Sequence, residues 1–124
     1  MFRAKATILC IDDHWNGLIG RKMLLEQSGY QVLEASGGDE GLKLFRSHPV
    51  DAVVLDYQMP GMNGVELQCR LIEDGHSLPV IFMTAFPEDT VGERVLEKGA
   101  CGYLSKPLDE ERLLTCLTKA LSDR

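Results

Sequence analysis

VDAVVLDYQMPGMNG, residues 50–64, runs apolar except for Asp51 up to a second carboxylate, Asp56, and then breaks into Pro60, Gly61, Asn63 and Gly64. A short β-branched run closed by turn residues reads as a strand. Because it is apolar almost throughout instead of alternating, both of its faces must be covered, as in a parallel sheet packed between helices. LPVIFM, residues 78–83, repeats the pattern, and ATILCI 6–11, YQVLEA 30–35 and CGYL 101–104 complete a set of β-rich runs. The longer segments between and after them carry helical spacing, so the chain reads βαβαβαβαβα, an α/β fold with a parallel, doubly wound sheet and right-handed crossovers.

The helical segments show their own stripes and stops. Leu113, Leu117 and Leu121 recur four residues apart with Leu114 beside them, and Val65, Cys69 and Ile72 do the same in the third segment; both are core faces. Ser28-Gly29 and Gly99 suit the ends of the first and fourth helices. Pro49 stops the second, Asn63 caps the third and Pro79 opens the fourth strand.

Composition narrows the function. The chain has 124 residues, 44% of them hydrophobic and 26% charged, the size and balance of one globular domain spanning 1–124. No apolar run reaches the roughly 18 residues of a membrane span. The first apolar stretch is cut short by Asp12 and Asp13, so it is a strand and not a signal peptide, and a cytoplasmic location is expected. The net charge of −6 argues against direct nucleic-acid binding by this domain. The cysteines at 10, 69, 101 and 116 form no CxxC pair and have no His at ligand spacing, which disfavours zinc. Cys10, Cys69 and Cys116 fall within apolar patterns and act as small hydrophobes.

In a doubly wound sheet, ligands bind beyond the carboxyl ends of the strands. Strand 1 ends in Asp12-Asp13, strand 3 in Asp56, strand 4 in Thr84-Ala85 and strand 5 in Ser105-Lys106-Pro107, whereas strand 2 ends only in Ala35-Ser36-Gly37. Carboxylates at 12, 13 and 56 brought together repel one another unless a cation compensates. All-oxygen donors suit Mg²⁺, with Mn²⁺ as a substitute. Lys106 can pair with Asp56 or with an anion placed there, and Thr84 can donate a hydrogen bond to that anion. A carboxylate with a cation, an ammonium and a hydroxyl around it is equipped to attack phosphorus, and Asp56 is the better nucleophile because the adjacent pair is best used for metal.

Taken together, the acidic pair after strand 1, the "D-x-x-MPGMNG" turn, "MTA" closing strand 4 and "GYLSKP" at strand 5 resemble the receiver domain of two-component response regulators, over essentially the whole chain. The resemblance implies a flavodoxin-like three-layer (βα)5 sandwich with strand order 2-1-3-4-5. It implies that Asp56 accepts phosphate from a histidine kinase, a phosphotransfer protein or a small phosphodonor. It also implies that Asp13, Asp56 and the backbone carbonyl of Gln58 hold Mg²⁺ directly, with Asp12 helping through water. Lys106 would contact the phosphoryl group, aimed by a cis bond to Pro107. Thr84 would move to the new phosphate, through a passage that the small Ala85 leaves open. Tyr103 would fill the vacated space, changing the face formed by the fourth helix, strand 5 and the fifth helix. That face would act on an output domain or partner, with phosphorylation-linked homodimerisation left open. The only catalysis implied is the domain's own phosphorylation and dephosphorylation, and bulky Phe86 is expected to slow the latter.

Other features read more plainly. His14, His48 and His76 are surface-loop histidines, Trp15 covers the top of the first helix, and the charges at Glu88, Asp89, Glu93, Arg94, Glu97 and Lys98 form a solvated face. A flavodoxin-like cofactor binder would need a first loop that cradles phosphate, where this loop opens with two carboxylates. An aspartate-nucleophile phosphohydrolase usually has a second acid two residues after the nucleophile, where this chain has Gln58. A receiver reduced to a dimerisation scaffold would not need the full set of site residues.

Overall fold

The computed structural model describes residues 5–13, 15–56, 67, 69–70, 79–84, 102–105 and 110–122; the side chains of 15–17, 84, 102–105 and 110 lie outside that description. Strands β1 (Thr7–Ile11), β2 (Gln31–Ala35), β3 (Ala52–Asp56), β4 (Val80–Thr84) and β5 (Gly102–Ser105) form one sheet in the order β2-β1-β3-β4-β5. All four pairings are parallel. Helices α1 (Trp15–Gln27) and α2 (Gly38–Ser47) connect β1 to β2 and β2 to β3, and a C-terminal helix runs over Glu110–Ser122.

The strands alternate strictly between two cores. Leu9 and Ile11, Val53 and Leu55, and Val80 and Phe82 face one side with Leu42 and Phe45 of α2 and with Leu67. Ile8 and Cys10, Ala52 and Val54, and Ile81 and Met83 face the other with Leu18 and Leu25 of α1 and with Leu113 and Leu117 of the C-terminal helix. Every residue of β3 is buried, the outcome expected of a strand covered on both faces. The 113/117 stripe packs as its spacing predicts, with Leu114 and Leu121 at its edges.

Boundaries differ from the sequence reading by a residue or two. β3 starts at Ala52, not Val50, because Asp51 makes a different pairing. Its N–H donates to the Thr7 carbonyl at 2.8 Å and its Oδ2 accepts from the Thr7 N–H at 2.8 Å, so a side chain replaces one rung of the ladder. In the third helical segment Leu67 is fully buried within the α2-side core and Cys69 is half-buried; Val65 and Ile72 lie outside the described residues.

The end of α1 follows from Gly29. The Gly29 N–H reaches the Glu26 carbonyl and the Tyr30 N–H reaches the Leu25 carbonyl, both at 3.0 Å, the paired bonds of a Schellman cap. That cap needs a left-handed residue, and Gly29 has φ +98°. Leu25 and Tyr30, the residues flanking the cap, pack in the same core. At α2, Pro49 follows the last turn and the helix stops at Ser47. The expected ends at Asn63 and Gly99 lie outside the described residues.

Candidate functional site

Strand order assembles the site. β1 lies against β3 with Ile11 opposite Leu55, so the residues that follow in each strand, Asp12-Asp13 and Asp56, leave the same edge of the sheet as neighbours. Oxygens of the three carboxylates lie within 4.8 Å of one another. Asp12 and Asp56 are 1% and 2% exposed, while Asp13 faces solvent. The adjacent pair is therefore divided: one carboxylate is enclosed beside Asp56 and the other forms the rim.

β4 lies on the far side of β3, with Asp56 opposite Met83, and Thr84 is the next residue. Thr84 in turn pairs with Ser105 of β5. The backbone thus brings Thr84 to the same edge as Asp56, one strand away. Tyr103 lies on β5 opposite Phe82 of β4. Gln58, Ala85, Phe86, Lys106 and Pro107 lie outside the described residues, as do His14 and His76. β2 ends in Ala35, where the Asp12 N–H donates to the Ala35 carbonyl at 3.1 Å, and it brings no acid or hydroxyl to the cluster beyond Ser36, whose hydroxyl is engaged with Glu40.

One residue of the site escaped the sequence reading. Arg21 of α1 donates from Nη2 to Oδ2 of Asp12 at 3.0 Å, and it is 5% exposed. A signal for it was present: Leu18, Arg21 and Leu25 fall on one helical stripe, and an arginine in an apolar stripe requires a buried partner. Two residues before Asp12 on β1 stands Cys10, in the core shared with α1, with Glu34 opposite it on β2. Burial pushes the Cys10 thiol up to about 12; Arg21 opposes that rise, while Glu34 and Asp12 add to it. Cys10 is therefore a protonated core residue, as its apolar setting predicted. His48 is exposed at the end of α2, with Nδ1 2.9 Å from the Ser47 hydroxyl.

The donor chemistry fits a hard divalent cation. Three carboxylates with two of them buried need positive charge at close range, and an all-oxygen donor set is what Mg²⁺ takes. Among the described residues this is the one cluster of potential metal ligands of its kind.

The pattern of the family described as the response regulator receiver domain matches residues 8–118 of the chain. Protein PilH of Pseudomonas aeruginosa is 36% identical over 119 residues, covering 94% of this chain and 98% of that protein. The nitrate/nitrite response regulator protein NarL of Escherichia coli is 40% identical over 119 residues, covering 93% of this chain but 54% of NarL. Among solved structures, a response regulator receiver domain protein from Clostridium thermocellum superposes with a TM-score of 0.90 at 31% identity, covering 95% of each chain. A CheY-like receiver domain protein from Methanospirillum hungatei gives 0.89 at 27% identity, covering 95% of this chain and 94% of that one. No helix among the described residues is long and apolar enough to cross a membrane.

Proposed function

The chain belongs to the response regulator receiver domain family of two-component systems, and from that premise we propose that it is a phosphorylation switch whose phosphoacceptor is Asp56. The observation that carries this reading is the meeting of Asp56 with Asp12 and Asp13 at one sheet edge, their oxygens within 4.8 Å. A carboxylate oxygen of Asp56 attacks the phosphorus of the donor. A P–O bond to Asp56 forms as the bond from phosphorus to the donor's nitrogen or oxygen breaks, and that electron pair leaves with the donor. Asp13, Asp56 and the Gln58 carbonyl would hold Mg²⁺, with Asp12 helping through water, and the cation would supply positive charge against the transferred oxygens.

The chain's own groups do the rest. β3 delivers Asp56 from a fully buried strand, so its carboxylate is held rigidly rather than on a flexible loop. Lys106 neutralises the incoming phosphoryl group and Thr84 hydrogen-bonds it once attached, with Tyr103 following Thr84, past Ala85, to alter the surface that partners read. The single receiver domain, residues 1–124, takes phosphate in the cytoplasm from a histidine kinase or phosphotransfer protein. It passes the signal to an output domain or separate protein through the face made by the segment before β5, β5 itself and the C-terminal helix. Its turnover is confined to its own aspartyl phosphate. A cofactor binder is set aside because the loop after β1 opens with two carboxylates where a phosphate cradle would be needed, and a phosphohydrolase because position 58 lacks the hydrolase's second acid.

Incubation with a small acyl phosphate and Mg²⁺, followed by intact mass measurement, tests this. A mass gain of one phosphoryl group is expected in the wild type, absent in Asp56→Asn and absent when the cation is chelated. A wild type that gains no mass, or a gain that survives in Asp56→Asn, overturns the assignment.

A further inference from the structure

Arg21 occupies a place that packing alone would give to a hydrophobe. Leu18, Arg21 and Leu25 lie at i, i+3 and i+7 of α1 and all are buried. Moving a guanidinium out of water costs on the order of several kcal/mol even after relaxation, and a buried pair recovers this only when its remaining donors are also satisfied. They are not satisfied here. Nη2 meets Asp12, but Nε and Nη1, equally buried, find no acceptor among the described residues. A leucine or methionine at 21 would continue the core with none of that penalty. The net benefit of the arginine therefore lies in its charge, not in packing.

That charge stands against one of three clustered carboxylates. We propose that Arg21 is a positioning residue that sets how tightly the acidic cluster binds its divalent cation. It occupies Oδ2 of Asp12 and offsets one negative charge of the trio, so the cation is held more weakly than by an uncompensated cluster and exchanges readily. The inference rests on the metal-site reading given above. It assigns the two members of the acidic pair different work: Asp13 stands on the exposed rim, while the enclosed Asp12 would divide its charge between the cation and Arg21 of α1. The same 3.0 Å contact ties α1 to the site.

Isothermal titration with Mg²⁺ compares wild type, Arg21→Met, Arg21→Gln and Arg21→Lys, each first checked for a cooperative thermal transition. With the positive charge removed, Arg21→Met and Arg21→Gln should bind Mg²⁺ about tenfold tighter. Arg21→Lys, which keeps the charge, should stay near the wild-type affinity. The rise in Tm produced by saturating Mg²⁺ should be larger in Arg21→Met and Arg21→Gln than in the wild type, a readout that a purely structural role would leave unmoved. Should Arg21→Met not fold, Arg21→Gln, which retains hydrogen-bonding capacity, decides the question alone. Unchanged or weaker Mg²⁺ binding in the folded uncharged variants overturns the inference while leaving phosphorylation of Asp56 intact. A wild type that binds no Mg²⁺ overturns both.

Discussion

The two faces of the sheet are built to different standards. Among the described side chains the core under α2 is apolar, with Leu9, Ile11, Val53, Leu55 and Phe82 meeting Leu42, Phe45 and Leu67. There α2 comes so close that a Cβ added at Gly41 would lie 2.5 Å from Cδ1 of Ile11. The face under α1 and the C-terminal helix has an equally apolar body, but toward the carboxyl edge of the sheet it carries Cys10, Asp12, Arg21 and Glu34. Asp12 and Asp56 share strand parity with the residues of this second face, so both acids rise from the side that holds the arginine. One face supplies cohesion and the other gives up part of it to hold charge where the chemistry needs it.

Substitutions can break that contrast, beginning with the apolar face. Phe82→Ala, which empties the largest fully buried side chain from the α2 side, should lower stability by about 3–5 kcal/mol in urea unfolding. A loss below about 1 kcal/mol would mean that this face is not close-packed. Gly41→Ala should cost about 1–3 kcal/mol through overpacking against Ile11, although alanine is the better helix former. Combining it with Ile11→Val, which removes the Cδ1 atom in the way, should recover part of that loss, and strictly additive effects would contradict the close approach.

On the charged face the smallest effect at neutral pH concerns Cys10. Its folded-state pKa is raised to about 12 from 9.0, so below pH 9 the thiol is protonated in both states and its contribution is complete. Above pH 9 the unfolded chain releases the proton while the folded one keeps it, and stability declines as pH rises toward 12. Cys10→Val should therefore lose stability less steeply than wild type across that window in a series of urea midpoints. Parallel curves would show that the thiol titrates alike in both states.

The sequence was legible where information is local. Period and termination revealed all five strands, the Gly29 stop and the Leu113 and Leu117 stripe, because alternation, helical spacing and turn chemistry are written in neighbouring residues. The acids at strand ends were legible for the same reason: Asp12, Asp13 and Asp56 each follow an apolar run. Asp51 was misread as part of its strand because it behaves like one through a side-chain bond to Thr7, a residue 44 positions away. In the third helical segment Leu67 is fully buried and Cys69 half-buried, and helical spacing alone does not single out Leu67.

By itself the sequence determined that carboxylates, a threonine and a lysine stand at strand ends, and hence the class of chemistry. Tertiary structure decided which strands are neighbours, so that Asp56 meets Asp12 and Asp13 while the end of β2 stays outside the cluster. It also decided that Asp12 is enclosed and Asp13 exposed, and that Arg21 turns inward to the former. The reason is physical: residue type and spacing fix what a segment can form, but a charge acquires its energy from what surrounds it after the crossovers have closed, and those surroundings come from distant parts of the chain.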